Sequence, residues 1–275
     1  MFAVNAQVVR VDLYNADNGL PQTHVNTIIQ DSTGYLWIGT QDGLCRYDGY
    51  QFVTYTNNPL DTFSLCNNFI YSIADDGRGN LWIGTRFGLS RFEKSTGKFI
   101  NYFANPNNPN TITSNRVYSV YCDRKGFIWV KTLEAINLYN PSKDNFVQYP
   151  HYNDIFIHPT EVGNFPIYED SQERLWVGTK DGLMLFDKQR GLFKRFNNDP
   201  SNCFSLSSDR ITAIFEDSHG NFWVGTDGGL NRFDIRNNKF LKYPAIPGEV
   251  VESIGEDSGG FMWRSEERRV GKECR

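Results

Sequence analysis

An excess of basic charge, long apolar runs and paired cysteines are what this 275-residue chain lacks. Lys and Arg number 28 against 32 Asp and Glu, for a net charge of −4, and no basic stripe is present. That balance argues against a nucleic-acid backbone as partner. No apolar run is long enough to cross a membrane as a helix. Cys45, Cys66, Cys122 and Cys203 include no CxxC pair, so they supply neither a zinc signature nor a disulfide framework and are expected to be free. A helical period of ten residues or more is also missing, as are a P-loop and any phospho-acceptor His context. The chain is therefore not expected to transfer phosphate itself, and no cofactor or metal is expected.

What is present is a repeat. An Asp, a short turn carrying Gly, an apolar residue and a Trp recur six times, at Trp37, Trp82, Trp129, Trp176, Trp223 and Trp263. The first five Trp are 45, 47, 47 and 47 residues apart. A fixed period of this length marks a repeat architecture. In the fifth copy, residues 211–216 alternate like a half-buried strand, Asp217-Ser-His-Gly220 is a turn, and 221–226, 229–234 and 238–243 are three more strands. Second strands are expected at 35–40, 80–85, 127–132 and 174–179, third strands at 43–48, 88–93, 135–140 and 182–187, and fourth strands at 51–55, 98–103, 144–149 and 191–196. The links after the first and fourth copies read alike, from Asn57 to Leu65 and from Asn198 to Leu206. Four-stranded meanders repeated around an axis make an all-β propeller. The expected count is five full blades plus part of a sixth, cut from a seven-bladed ring. The six Trp are expected as structural wedges between sheets, and Asp31, Asp76, Asp123, Asp170, Asp217 and Asp257 as turn formers rather than catalytic acids.

The repeat resembles the two-component regulator propeller. The resemblance rests on Asp31-Ser-Thr-Gly-Tyr-Leu-Trp-Ile-Gly-Thr-Gln-Asp-Gly-Leu-Cys-Arg-Tyr-Asp-Gly-Tyr-Gln-Phe52, with near copies at 76–92, 170–186 and 217–233. The opening Asn18-Gly-Leu-Pro-Gln-Thr-His-Val25 is similar to the start of that family's sensor region. The resemblance covers residues 7–263. It implies the periplasmic sensor region of a Bacteroidetes hybrid two-component histidine kinase. Such a region responds to oligosaccharides, is tethered to the inner membrane through segments outside this chain, works as a homodimer and controls transcription. The alternatives are a propeller enzyme (lyase or glycoside hydrolase) or a plain protein-interaction propeller. An enzyme needs convergent acids, a base or a metal, and no pair of carboxylates breaks the repeat pattern.

Candidate ligand residues are those that break the repeat on the face shared by the links and the turns between second and third strands. The third copy carries Lys131 and Ala135 where the others have Gly, with Glu134 between them. The link that follows carries His151, Tyr152 and His158. Lys131, Glu134, His151, Tyr152 and His158 are therefore the expected contacts to a sugar; two His seven apart in a loop make a poor metal site. At the ends, Met1–Ala6 resembles the stump of a secretory signal, and residues 7–14 an opening strand that completes the last sheet. Arg264–Arg275 abandons the repeat directly after Trp263 and resembles translated sequencing adapter. This stretch is expected to be non-native; it carries net +2, leaving −6 for the remainder. Cut sheet edges predict poor solubility for the chain alone.

Overall fold

The chain folds as a succession of antiparallel meanders, seen in a computed structural model that describes residues 14–132, 134–150, 165–243 and 250–266. A short 3-10 turn at Ala16–Asn18 precedes the first sheet. Blade 1 holds β1 (Val25–Gln30), β2 (Leu36–Thr40), β3 (Gly43–Tyr47) and β4 (Phe52–Tyr55). Blade 2 holds β5 (Ile70–Asp75), β6 (Asn80–Thr85), β7 (Gly88–Glu93) and β8 (Lys98–Tyr102). Blade 3 holds β9 (Val117–Cys122), β10 (Ile128–Thr132), β11 (Ala135–Asn140) and β12 (Asn145–Pro150). Blade 4 holds β13 (Ile167–Glu169), β14 (Leu175–Thr179), β15 (Gly182–Asp187) and β16 (Leu192–Phe196). Blade 5 holds β17 (Ile211–Glu216), β18 (Phe222–Thr226), β19 (Gly229–Asp234) and β20 (Lys239–Tyr243), and blade 6 holds β21 (Val251–Glu256) and β22 (Met262–Glu266).

Within each four-stranded sheet the spatial order follows the chain order. Neighbouring blades meet through their first strands, β1 on β5, β5 on β9, β9 on β13, β13 on β17 and β17 on β21. First strands therefore converge on a common axis and fourth strands lie outermost, which is the geometry of propeller blades. The strands expected within the five full copies are all present, to within a residue at their ends. At the chain ends the described residues say less. Residues 1–13 and 267–275 lie outside them, and with them the expected signal stump and most of the opening strand. β22 runs through Arg264, Ser265 and Glu266, three residues past the boundary expected at 263. The ladder is built from backbone groups and accepts these side chains in register.

Trp37, Trp82, Trp129 and Trp176 each leave their own sheet and enter the core of the next. Trp37 packs with Ile70, Leu81 and Phe92 of blade 2, Trp129 with Leu175 and Phe186 of blade 4, and Trp176 with Phe222 and Phe233 of blade 5. Trp37, Trp82 and Trp176 are almost wholly buried. Truncating such a residue costs about 3–5 kcal/mol. Trp263, in the two-stranded sheet, is 65% exposed.

The motif Asp does more than form a turn. Asp123 Oδ1 accepts the backbone N–H of Lys125 and Phe127, while its Oδ2 accepts the indole N–H of Trp129 at 2.9 Å. Asp31, Asp170, Asp217 and Asp257 hold their own Trp in the same way. Burial alone would raise the Asp123 carboxyl; the Trp129 indole, the Phe127 amide and Lys188 outweigh it and hold the group below the usual carboxylate range. Blade 2 departs from this: Asp76 Oδ2 takes the Asn80 amide at 2.7 Å, and the buried Trp82 N–H has no acceptor among the described residues.

A second brace crosses the same end of the junctions. The carboxylate closing a first strand accepts the amide just after the preceding blade's motif Asp: Asp75 from Ser32, Glu169 from Arg124, Glu216 from Ser171 and Glu256 from Ser218. Lys94 adds contacts to Asp31 at 2.9 Å and Asp75 at 3.1 Å; Lys188 does the same to Asp123 at 3.2 Å and Glu169 at 2.5 Å.

Candidate functional site

Antiparallel topology gives the blades two unlike ends. The Asp-containing turns and their braces gather at one end. The turns between second and third strands emerge at the other, together with the links between blades. Among the described residues this link face has no equivalent carboxylate lattice; its turns are closed locally, by the motif Thr hydroxyl donating to the glycine carbonyl three residues on, as Thr85 does to Gly88 at 2.8 Å. The links after blades 1, 2 and 4 are also closed locally. Ser64, Thr111 and Ser205 each accept a backbone N–H six residues back, from Asn58, Asn105 and Asp199, at 2.9–3.0 Å. Variation concentrates on the rim near the axis.

Lys131 stands where the other blades need Gly. A Cβ on Gly84 would lie 2.9 Å from Val117 Cγ1 and 3.0 Å from the Val117 carbonyl oxygen, at the start of the next first strand. Below Lys131 the next first strand is only Ile167–Glu169, and the lysine runs into the junction instead. Its residue is 4% exposed, its Nζ donates to the Gly178 carbonyl at 2.7 Å, and it lies 4.4 Å from the Phe165 ring centroid. Burial pushes the amine down to about 7. Lys131 is thus turned into the seam between blades 3 and 4 rather than presented on the surface. Glu134 stands half-exposed on the link face. His151, Tyr152 and His158 lie outside the described residues.

The structure shows a different cluster. In blades 1, 2, 3 and 5 the first strand carries a one-residue bulge near its start, at Asn26, Tyr71, Tyr118 and Thr212. Bulges re-aim side chains, and these reach across to the neighbouring blade. Asn26 donates to the Ile70 carbonyl at 2.7 Å. Tyr71 and Tyr118 lie 5.4 Å apart, and Tyr118 meets Phe165 at 6.1 Å. Phe69, just outside β5, adds a ring 4.9 Å from Tyr71. The Arg86 guanidinium sits 5.9 Å from the Phe69 ring centroid. Burial pushes the Tyr71 phenol up while Arg116 and Arg86 pull it back. Contact with Tyr118 in turn keeps Arg116 above the ordinary arginine range. Phe87 and Phe103 complete the rim of blade 2 at 5.9 Å from each other; they are 55% and 43% exposed.

Sequence reasoning missed this cluster because blade 2 keeps every motif glycine. The signal was available in two columns of the repeat: Asn26, Tyr71, Tyr118, Phe165, Thr212 and Glu252 in one, and Asp42, Phe87, Glu134, Asp181 and Gly228 in the other. A separate cavity of about 510 Å³ opens at the braced end between blades 4 and 5, lined by Arg174, Glu216 and Arg236 among others. It lies where Ile235 stands at the position held by Lys94 and Lys188 in two other junctions. Arg174 already binds Asp170 at 2.6 Å and Glu216 holds Ser171. Among the described residues, no group of three or more His, Cys, Asp or Glu is placed to share a metal ion.

Residues 19–42, 64–87, 111–134 and 205–228 match the two component regulator propeller family. These four stretches, in blades 1, 2, 3 and 5, are two-component regulator propeller repeats. Each match ends in the link-face turn of its blade, and blade 4, which follows the irregular link, has no match. A 48-residue stretch is 50% identical to "Histidine kinase P4" of Formosa agariphila, covering 18% of this chain and 4% of that protein. The fold resembles the extracellular domain of a protein described as a hybrid two component system of B. thetaiotaomicron, with a TM-score of 0.77 and 24% identity over 93% of this chain and 34% of the other. A streptogramin B lyase structure is similar at a TM-score of 0.66 and 14% identity, over 90% of this chain and 78% of the lyase. These likenesses establish the propeller fold. The chain spans about a third of the length of the two-component structure and a small part of the kinase.

Proposed function

We propose that this two-component regulator propeller is a ligand-sensing part of the periplasmic region of a hybrid two-component sensor. It is tethered to the inner membrane by segments outside this chain and works within a homodimeric receptor that controls transcription. Its ligand is an oligosaccharide. The observation that carries this reading is the contrast between the two ends of the blades. One end is locked by repeated Asp–Trp and carboxylate braces, and the other gathers unrepeated aromatic and guanidinium groups around the axis. Aromatic faces and fixed donors are what sugar recognition requires, and loops on a rigid scaffold are where it is built. We propose Glu134, together with His151, Tyr152 and His158 of the following link as read from the sequence, as a second contact region, with Lys131 in the seam between blades 3 and 4.

The test is a transcriptional reporter driven by the complete receptor and challenged with oligosaccharide pools from digested polysaccharides. At least one pool is expected to switch the reporter on. Phe69→Ala and Tyr152→Ala are each expected to blunt that response while receptor abundance stays level. A receptor that answers no saccharide pool, or answers equally in both variants, refutes the reading.

A further inference from the structure

Resting on the saccharide-sensing reading, the geometry points to an acidic ligand: we infer that the link-face rim of blades 2 and 3 selects an oligosaccharide bearing carboxylate or sulfate groups. Phe87 and Phe103 are the exposed members of the cluster and form a tilted pair on the open surface. They present ring faces to the C–H groups of a sugar, which the aromatic quadrupole attracts. Beside them Arg86 is exposed, and its guanidinium leans toward Phe69. Arg116 is half-buried next to Tyr118 and Tyr71. A planar guanidinium anchored on aromatic rings is pre-organised for two-pronged contact with a carboxylate or sulfate.

The charge pattern favours an anion at this place although the whole chain is negative. At the turn position of this face blade 1 has Asp42 and blade 4 has Asp181, whereas blade 2 has Phe87. Asp42 is engaged by the Asn68 amide at 3.4 Å. Glu134 of blade 3 is a further carboxylate on the same face. The charged groups acting on Tyr71, at the centre of the cluster, are both arginines. A neutral sugar would use the rings; an acidic one would use the rings and the charge of the guanidinium groups beside them.

Calorimetric titration of the 275-residue chain with a galacturonate hexasaccharide, and with maltohexaose as the neutral match, tests this. The acidic probe is expected to bind, more weakly as salt is added, and at least about tenfold more tightly than the neutral one. Arg86→Gln should weaken the acidic probe by about tenfold or more, with Arg86→Lys intermediate, and leave any maltohexaose binding unchanged. Phe87→Ala should weaken both probes. These side chains are exposed, and unchanged melting of each variant verifies that the fold is kept. Equal affinity for the two probes, or acidic binding indifferent to Arg86→Gln, overturns acid selection but leaves saccharide sensing standing. Binding of neither probe also overturns it, and the reporter assay then decides the sensing reading separately.

Discussion

At the scale of single residues, the repeat works because one carboxylate serves several donors. Each motif Asp satisfies turn amides with one oxygen and, in every blade except blade 2, its indole with the other, so the Trp is oriented before the next blade arrives. Lys131 is the opposite case, a charged residue type placed where burial disfavours charge. Unfolded, its ammonium titrates at the ordinary 10.5; folded, desolvation brings it down to about 7. Between those values the unfolded chain binds the additional proton, so stability rises with pH across that window. Below it the burial penalty is present in full. Lys131→Met is therefore expected to be more stable than the parent near neutral pH, with the gap closing as pH approaches 10.5. Urea midpoints measured across the window check this, and a gap that does not change with pH would show the amine to be solvated.

At the scale of elements, packing between blades depends on how closely a second strand admits the next first strand. Gly84 shows the limit, because its neighbours at the Cβ position include the Val117 backbone oxygen, which cannot rotate away. Gly84→Ala is expected to cost about 1–3 kcal/mol by overpacking. Gly255→Ala, where a Cβ meets nothing within 4 Å, should change little. Chemical denaturation of the pair distinguishes a steric seam from a general loss of backbone freedom. The links follow a similar logic. The two that read alike in sequence share their hydrogen bonds with a third, where Thr111-Ile112 replaces the Ser-Leu pair. Hydroxyl chemistry and an apolar anchor are conserved in role there while the letters change.

At the scale of the whole molecule, stability comes from neighbour-to-neighbour seams around an axis, as in other repeat proteins. Blade 6 has two strands, and the outer edge of β22 has no partner among the described residues. Phe261 and Trp263 are 70% and 65% exposed beside it. An open edge flanked by apolar rings invites pairing with another chain. The 275-residue chain is expected to self-associate in solution, and Trp263→Ser to shift it toward monomer. Light scattering coupled to size exclusion reads both states; an unchanged mass distribution in the variant would place the contact elsewhere.

Period, turn chemistry and strand alternation are local properties, so the sequence by itself determined the blades, their order and nearly every strand boundary. The motif Asp, its turn glycine and the Trp three residues later carry that information within a single repeat. Only the tertiary structure decided where side chains from different repeats meet. It turned Lys131 from the surface into a seam, because the short β13 leaves the Gly178 carbonyl and the Phe165 ring within its reach. It also gathered Phe69, Tyr71, Tyr118 and two arginines, residues up to 49 positions apart, with strand bulges aiming Tyr71 and Tyr118 at each other across neighbouring blades. No periodicity reports such a juxtaposition, since it depends on the curvature that brings successive first strands together.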